Sequence, residues 1–106
     1  MTKYLLLYSG GKMPESEAEY GETIKAWTAW YNSLGSAVVD PGNPFTPAAK
    51  SIASNGTMGA VPAAGMASGY TIVQAESLDA AADMAKSCPV LQGGGQISVF
   101  ETFNIM

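Results

Sequence analysis

The chain has 106 residues, 47% of them hydrophobic and only 13% charged, with a net charge of −4. Its five cations are all Lys. It has no Arg and no His, and its nine acids outnumber the cations. That balance argues against a nucleic-acid surface, which needs clustered cations facing phosphates. It removes the bidentate guanidinium fork for phosphate or carboxylate, and imidazole as general base or metal ligand. One domain, residues 1–106, fits the length. A charged fraction near half the usual ~25% leaves much uncharged surface for a partner subunit to cover.

The first element is a strand, Lys3 to Ser9 (KYLLLYS), ended by Gly10-Gly11. Leu5 and Leu7 form one of its faces, and Tyr4, Leu6 and Tyr8 the other. Both are apolar, so both sides of this sheet require cover. The strand is too short and too mixed for a signal peptide or a membrane span, and with a lone Cys88 the expectation is a cytoplasmic protein.

A helix follows over about 15–34. Pro14 suits its entry, and Glu15, Glu17 and Glu19 sit where the dipole favours anions. Tyr20, Ile24, Trp27, Tyr31 and Leu34 make one helical stripe with Trp30 at its edge, and Gly35 is placed as the stop. A strand at 36–40 leads into the proline-rich DPGNPFTP. Ser51-Ile52-Ala53 starts a small hairpin arm with Asn55-Gly56 as its turn, and 58–69 reads as a pliable small-residue loop.

Tyr70 to Ala75 is a strand. Ser77 caps a second helix whose stripe is Leu78, Ala81, Ala82, Ala85 and Cys88, and Pro89 ends it. Gly93-Gly94-Gly95 connects flexibly to a last strand over 96–103. The order β-α-β, irregular stretch, β-α-β predicts an α+β, ferredoxin-like split βαβ. Right-handed crossovers place two helices on one face of a four-stranded antiparallel sheet. The other face then needs a twin, so a homodimer joined through its sheet faces is expected.

The segments KYLLLYSGGKMP, LGSAVVDPGNPFTPAAKSI, SGYTIVQAESLDAAADMAKSCP and GGGQISVFETF, with Trp27 and Trp30 between the first two, resemble the YCII-related (DGPF-type) family. That resemblance implies a dimeric α+β barrel within a wider group that includes cofactor-independent oxygenases and lactone isomerases. It also implies that the 40–47 loop rims a cavity. Relatives often carry His after the Cys-Pro; here that position is Val90, and MGAVPAAGM stands in the region of the DGPF signature. No catalytic residue carries over.

Asp40 is the only acid between Glu22 and Glu76. It is either a pocket carboxylate acting as base or the first residue of a turn; the neighbouring Pro-Gly favours the turn. Tyr8, Trp27, Trp30 and Tyr70 are candidates for an aromatic pocket between helix and sheet, with Asn43 as a possible hydrogen-bonding partner. For Trp27 and Tyr70 a core role is the alternative, and Trp30 is the better cavity or interface residue. Cys88 lies on an apolar stripe with nothing basic to activate it, so it reads as core. Met58 and Met66 are adaptable packing. No acid cluster has metal-site spacing, and no cofactor is expected. The expected function is the binding of a small apolar or aromatic molecule between sheet and helices. The alternatives are a cofactor-free isomerase or monooxygenase with Asp40 as base, and a structural or regulatory dimer without ligand.

Overall fold

The structure is a computed structural model that describes residues 1–11 and 14–105; Lys12 and Met13 of the opening motif lie outside them. Strands β1 (Thr2–Ser9), β2 (Val38–Asp40), β5 (Ala67–Ala75) and β6 (Gln96–Glu101) form one antiparallel sheet in the order β2-β5-β1-β6. Helix α1 (Glu17–Leu34) links β1 to β2, and helix α2 (Leu78–Ala85) links β5 to β6. The hairpin β3 (Ser51–Ile52) and β4 (Met58–Gly59) stands apart as a two-stranded arm. This α+β arrangement of four strands and two helices is compatible with a ferredoxin-like fold. Among the described residues no helix is long and apolar enough to cross a membrane.

Alternation along the strands sorts the two sides of the sheet. Tyr4, Leu6 and Tyr8 of β1 and Thr71, Val73 and Ala75 of β5 are buried beneath the helices. Trp30, Ala81, Ala85 and Cys88 complete that core. The opposite side carries Leu5, Leu7, Tyr70, Ile72 and Phe100, paired across neighbouring strands as Leu7 with Tyr70, Leu5 with Ile72, and Leu5 with Phe100. None of these five is buried.

The helices are set by their caps. Ser16 is the N-cap of α1, so the helix starts at Glu17, three residues after Pro14; the Ser16 hydroxyl accepts the Glu19 N–H at 3.1 Å. Gly35 closes it with φ near 57° and its N–H on the Tyr31 carbonyl. Ser77 caps α2 through the Ala80 N–H at 3.1 Å. That helix stops at Ala85, and a separate 3₁₀ turn, Pro89–Leu91, follows Cys88.

The buried face of α1 differs from the expected stripe. Tyr20 and Ile24 are 60% and 49% exposed, whereas Trp30, expected at the edge, is 4% exposed. The cause is polar as well as apolar. The Trp30 indole N–H donates to the Met84 carbonyl of α2 at 3.0 Å, a bond available only with the ring turned inward between the helices. Leu78 of the expected α2 stripe likewise stays exposed, while its members Ala81, Ala85 and Cys88 face inward as expected. The two alanines let α2 lie close on the sheet, while Trp27 and Trp30 fill the wider gap under α1.

Two loop expectations are refined. Asn55 has no positive φ, so the arm does not close through a type I′ Asn-Gly turn, which needs φ > 0 at both central residues. The Gly56 N–H instead bonds the Ala53 carbonyl at 2.8 Å, with the Gly56 φ near 89°. The 93–95 run is a defined turn rather than a flexible connector. The Gly95 N–H reaches the Val90 carbonyl at 3.0 Å, and a Cβ on Gly95 would come within 2.9 Å of that same oxygen.

Because Ala81 is fully buried against the sheet, Ala81→Leu should cost about 1–3 kcal/mol through overpacking. Chemical denaturation checks this as a lower midpoint at unchanged slope.

Candidate functional site

The segment from Asp40 to Phe45 runs along the edge of β5. Val38 pairs with Val73 and Asp40 with Ile72, so a bulge places Val39 and Asp40 together opposite one β5 residue. The Asp40 Oδ1 accepts the Gly42 N–H at 2.9 Å, which makes Asp40 the first residue of a turn. Gly42 has φ near 72°, and a Cβ there would overlap the Tyr70 carbonyl oxygen, so only glycine fits. Farther on, Pro44 bridges Gly69, and the Phe45 N–H bonds the Ser68 carbonyl at 2.8 Å.

This turn is gripped from both sides of the sheet. On the helix side the Pro41 carbonyl accepts two hydroxyls, Thr71 at 2.9 Å and Tyr31 at 3.1 Å. Thr71 in turn accepts the Tyr8 hydroxyl at 2.6 Å. On the other side the Tyr70 hydroxyl donates to the Asp40 Oδ2 at 3.3 Å, and the Phe45 ring lies on the Tyr70 ring at 5.9 Å and 32°.

The candidate residues therefore fall into two groups. Tyr8, Trp27 and Trp30 stand together on the helix side. Trp27 meets Tyr8 edge-on at 5.5 Å and Trp30 at 5.7 Å. Tyr70 pairs with Leu7 and so occupies the opposite side of the sheet. The expected pocket of Tyr8, Trp27, Trp30 and Tyr70 is thus split by the sheet itself. Asp40 and Tyr70 are brought together, while Asn43 is exposed on the loop between them and Phe45. Tyr8 and Trp30 are both buried, with the hydroxyl and the indole N–H each donated to a protein acceptor. Their roles are those of core residues.

Burial pushes the Tyr8 hydroxyl far above its ordinary value, outweighing the opposing effect of its bond to Thr71. Burial also raises the Tyr31 hydroxyl and the Cys88 thiol. A thiol held protonated is a poor nucleophile, which agrees with Cys88 as a core residue.

Open space lies elsewhere. A groove of about 520 Å³ runs between the 44–50 segment and the 61–67 segment, at the root of the arm. Phe45 forms one wall and Met66 belongs to the other. Phe45 and Lys50 are not among the candidates the sequence marks. The pattern FTPAAK has no periodicity, and its place beside the groove exists only in the folded chain.

No protein-family model matches the chain, and no curated protein sequence matches it.

The raised groups fix a pH response. The unfolded chain releases these protons near ordinary values, about 8.5 for a thiol and about 10 for a phenol. The folded chain keeps them to higher pH, so stability is full below those values and falls as pH rises past them. Tyr8→Phe should cost about 1 kcal/mol near neutral pH for the lost hydrogen bond and make the alkaline decline shallower. Denaturant titrations from pH 7 to 11 measure both effects.

Proposed function

We propose that this chain is the protomer of a homodimer, two sheets packed face to face as a dimeric α+β barrel, and that the dimer binds a small apolar or aromatic molecule. The observation that carries the reading is the open side of the sheet, where Leu5, Leu7, Tyr70, Ile72 and Phe100 make an apolar surface that none of the described elements buries. The shortest dimension of the molecule is 19 Å, the depth of one sheet and one helix layer at about 10 Å each. A third layer has to come from outside the chain.

The surface area supports the same reading. The chain exposes 7488 Å², whereas a compact monomer of this size exposes roughly 5,600 Å². A standard interface needs about 800 Å² per partner, well inside that difference. The resemblance of the quoted segments to the YCII-related family points to the same assembly. A reducing, cytoplasmic setting suits the buried, unpaired Cys88.

For the ligand, the groove beside Phe45 is the place the geometry favours, because Tyr8 and Trp30 occupy the space between sheet and helices. If no small molecule binds, the structural-dimer reading takes its place.

A second reading, cofactor-free proton transfer, has one observation in its favour: the contact of the Tyr70 hydroxyl with Asp40. It makes Asp40 the base and Tyr70, rather than the buried Tyr8, the orienting hydroxyl.

Sedimentation velocity at 10–100 μM should give one species of twice the protomer mass. A glutamate at Ile72 enters a two-fold interface twice, at roughly 2–3 kcal/mol per copy. Ile72→Glu should therefore weaken the dimer by 10³-fold or more and give folded monomer. A wild-type monomer at these concentrations would remove the barrel. For the second reading, once a reaction is found, Asp40→Asn should lower turnover at least 10²-fold; an unchanged rate would retire Asp40 as base.

A further inference from the structure

We infer that the groove at the root of the arm takes a small aromatic monocarboxylate, with its ring against Phe45 and its charge on Lys50. This rests on the small-molecule reading above and narrows it to a chemical class.

The first observation is the lining. Among the described residues the groove is lined by Pro44, Phe45, Val61, Gly65, Met66 and three alanines, with Thr46 and Lys50 its only polar side chains and no acid. Its volume, about 520 Å³, lies in the range of small-molecule sites.

The second observation is the charge. Lys50, like Lys3, makes no ion pair among the described residues, whereas Lys25 and Lys86 are each matched by an acid three positions away. Lys50 is the one charge in the lining, so the local field favours an anionic ligand, against the net charge of −4 carried by the whole chain. The number of charges is limited as well. One ammonium, without Arg and without a second lysine in the lining, balances a carboxylate but not a dianionic phosphate, which calls for several donors.

The third observation is the platform. Phe45 is 46% exposed, yet it is not loosely held. Its N–H is bonded to Ser68 and its ring is backed by Tyr70. A ring fixed from behind and open in front offers a planar ligand a face at little cost in side-chain entropy.

The opposite wall supplies the control. Gly65 lines the groove, its φ is not positive, and a Cβ built on it meets nothing within 4 Å. A larger side chain there is accommodated by the fold and projects into open space.

The test is ¹⁵N chemical-shift titration of the full chain with 2-naphthoate and with its neutral counterpart 2-naphthamide. The expected result is binding of 2-naphthoate with shifts centred on Phe45, Met66 and Ala67, and at least ten-fold weaker binding of the amide. Lys50→Met keeps the stem and removes the charge, so it should bring the acid down to the affinity of the amide and leave the amide unchanged. Gly65→Leu should abolish binding of both. Equal affinity for acid and amide, or an unaltered acid in Lys50→Met, overturns the carboxylate assignment while the small-molecule reading stands. Binding that survives Gly65→Leu overturns the location. Failure of both probes to bind overturns the inference together with the reading beneath it.

Discussion

The central strand sets the terms for everything around it. β1 is paired on both edges, to β5 and to β6, so its backbone donors and acceptors are committed over almost its whole length. Its side chains are apolar on both sides. One side is resolved within the chain by Trp30, Ala81, Ala85 and Cys88. The other is not, and two helices that both come from crossovers on the same side cannot reach it. Unburied Leu5 and Leu7, flanked by Tyr70, Ile72 and Phe100, follow from this topology rather than from a local failure of packing.

The Pro41 carbonyl is where the two sides of the sheet are connected. It takes the hydroxyls of Thr71 and Tyr31 from the helix side, while the adjoining Asp40 carboxylate takes the Tyr70 hydroxyl from the other side. Gly42 follows directly, too close to the Tyr70 carbonyl for any side chain. A carbonyl accepting two hydroxyls beside a glycine with no freedom to move is a stiff joint. The segment after it inherits that stiffness, which is why Phe45 can be both exposed and fixed.

Local signals were the legible ones. The first strand, the two caps at Ser77 and Gly35 and the first strand of the arm could be read because each depends on chemistry within a few residues: an alternating run, a hydroxyl facing a free N–H, a glycine with positive φ; the arm's second strand, Met58–Gly59, falls in the segment that reads as a loop. The orientation of α1 could not. Tyr20, Ile24, Trp27, Tyr31 and Leu34 form a regular stripe, but periodicity says only that a helix has an apolar side, not which sector the rest of the fold covers. Here Trp30 found an acceptor on Met84, 54 residues away, and that distant carbonyl decided the rotation. The candidate pocket failed for a related reason. Tyr8 and Tyr70 were grouped as aromatic residues of strands, yet the pairing of Leu7 with Tyr70 puts them on opposite sides of one sheet. Register is a long-range property, and a one-residue difference in it exchanges the two faces. Asp40 was readable as a turn residue from Pro-Gly beside it; its contact with Tyr70 was not, because that contact exists only once the bulge in β2 has formed.

Low charge and extended shape belong to the same account. The radius of gyration is 15.1 Å, against about 13 Å for a compact chain of this length, and the arm holds Ile52 and Met58 in the open at 67% and 64% exposure. A monomer that worked alone would gain nothing from a projecting, uncharged hairpin with apolar residues exposed on its strands, and would risk aggregation. A protomer that works as half of an assembly can use it, since the projection that leaves the arm uncovered also creates the groove at its root. On the proposed dimer, the open sheet face and the exposed arm are two consequences of one economy: a chain too short to build three layers would leave apolar surface for a second copy to cover, and the space where the arm departs from the sheet for something smaller.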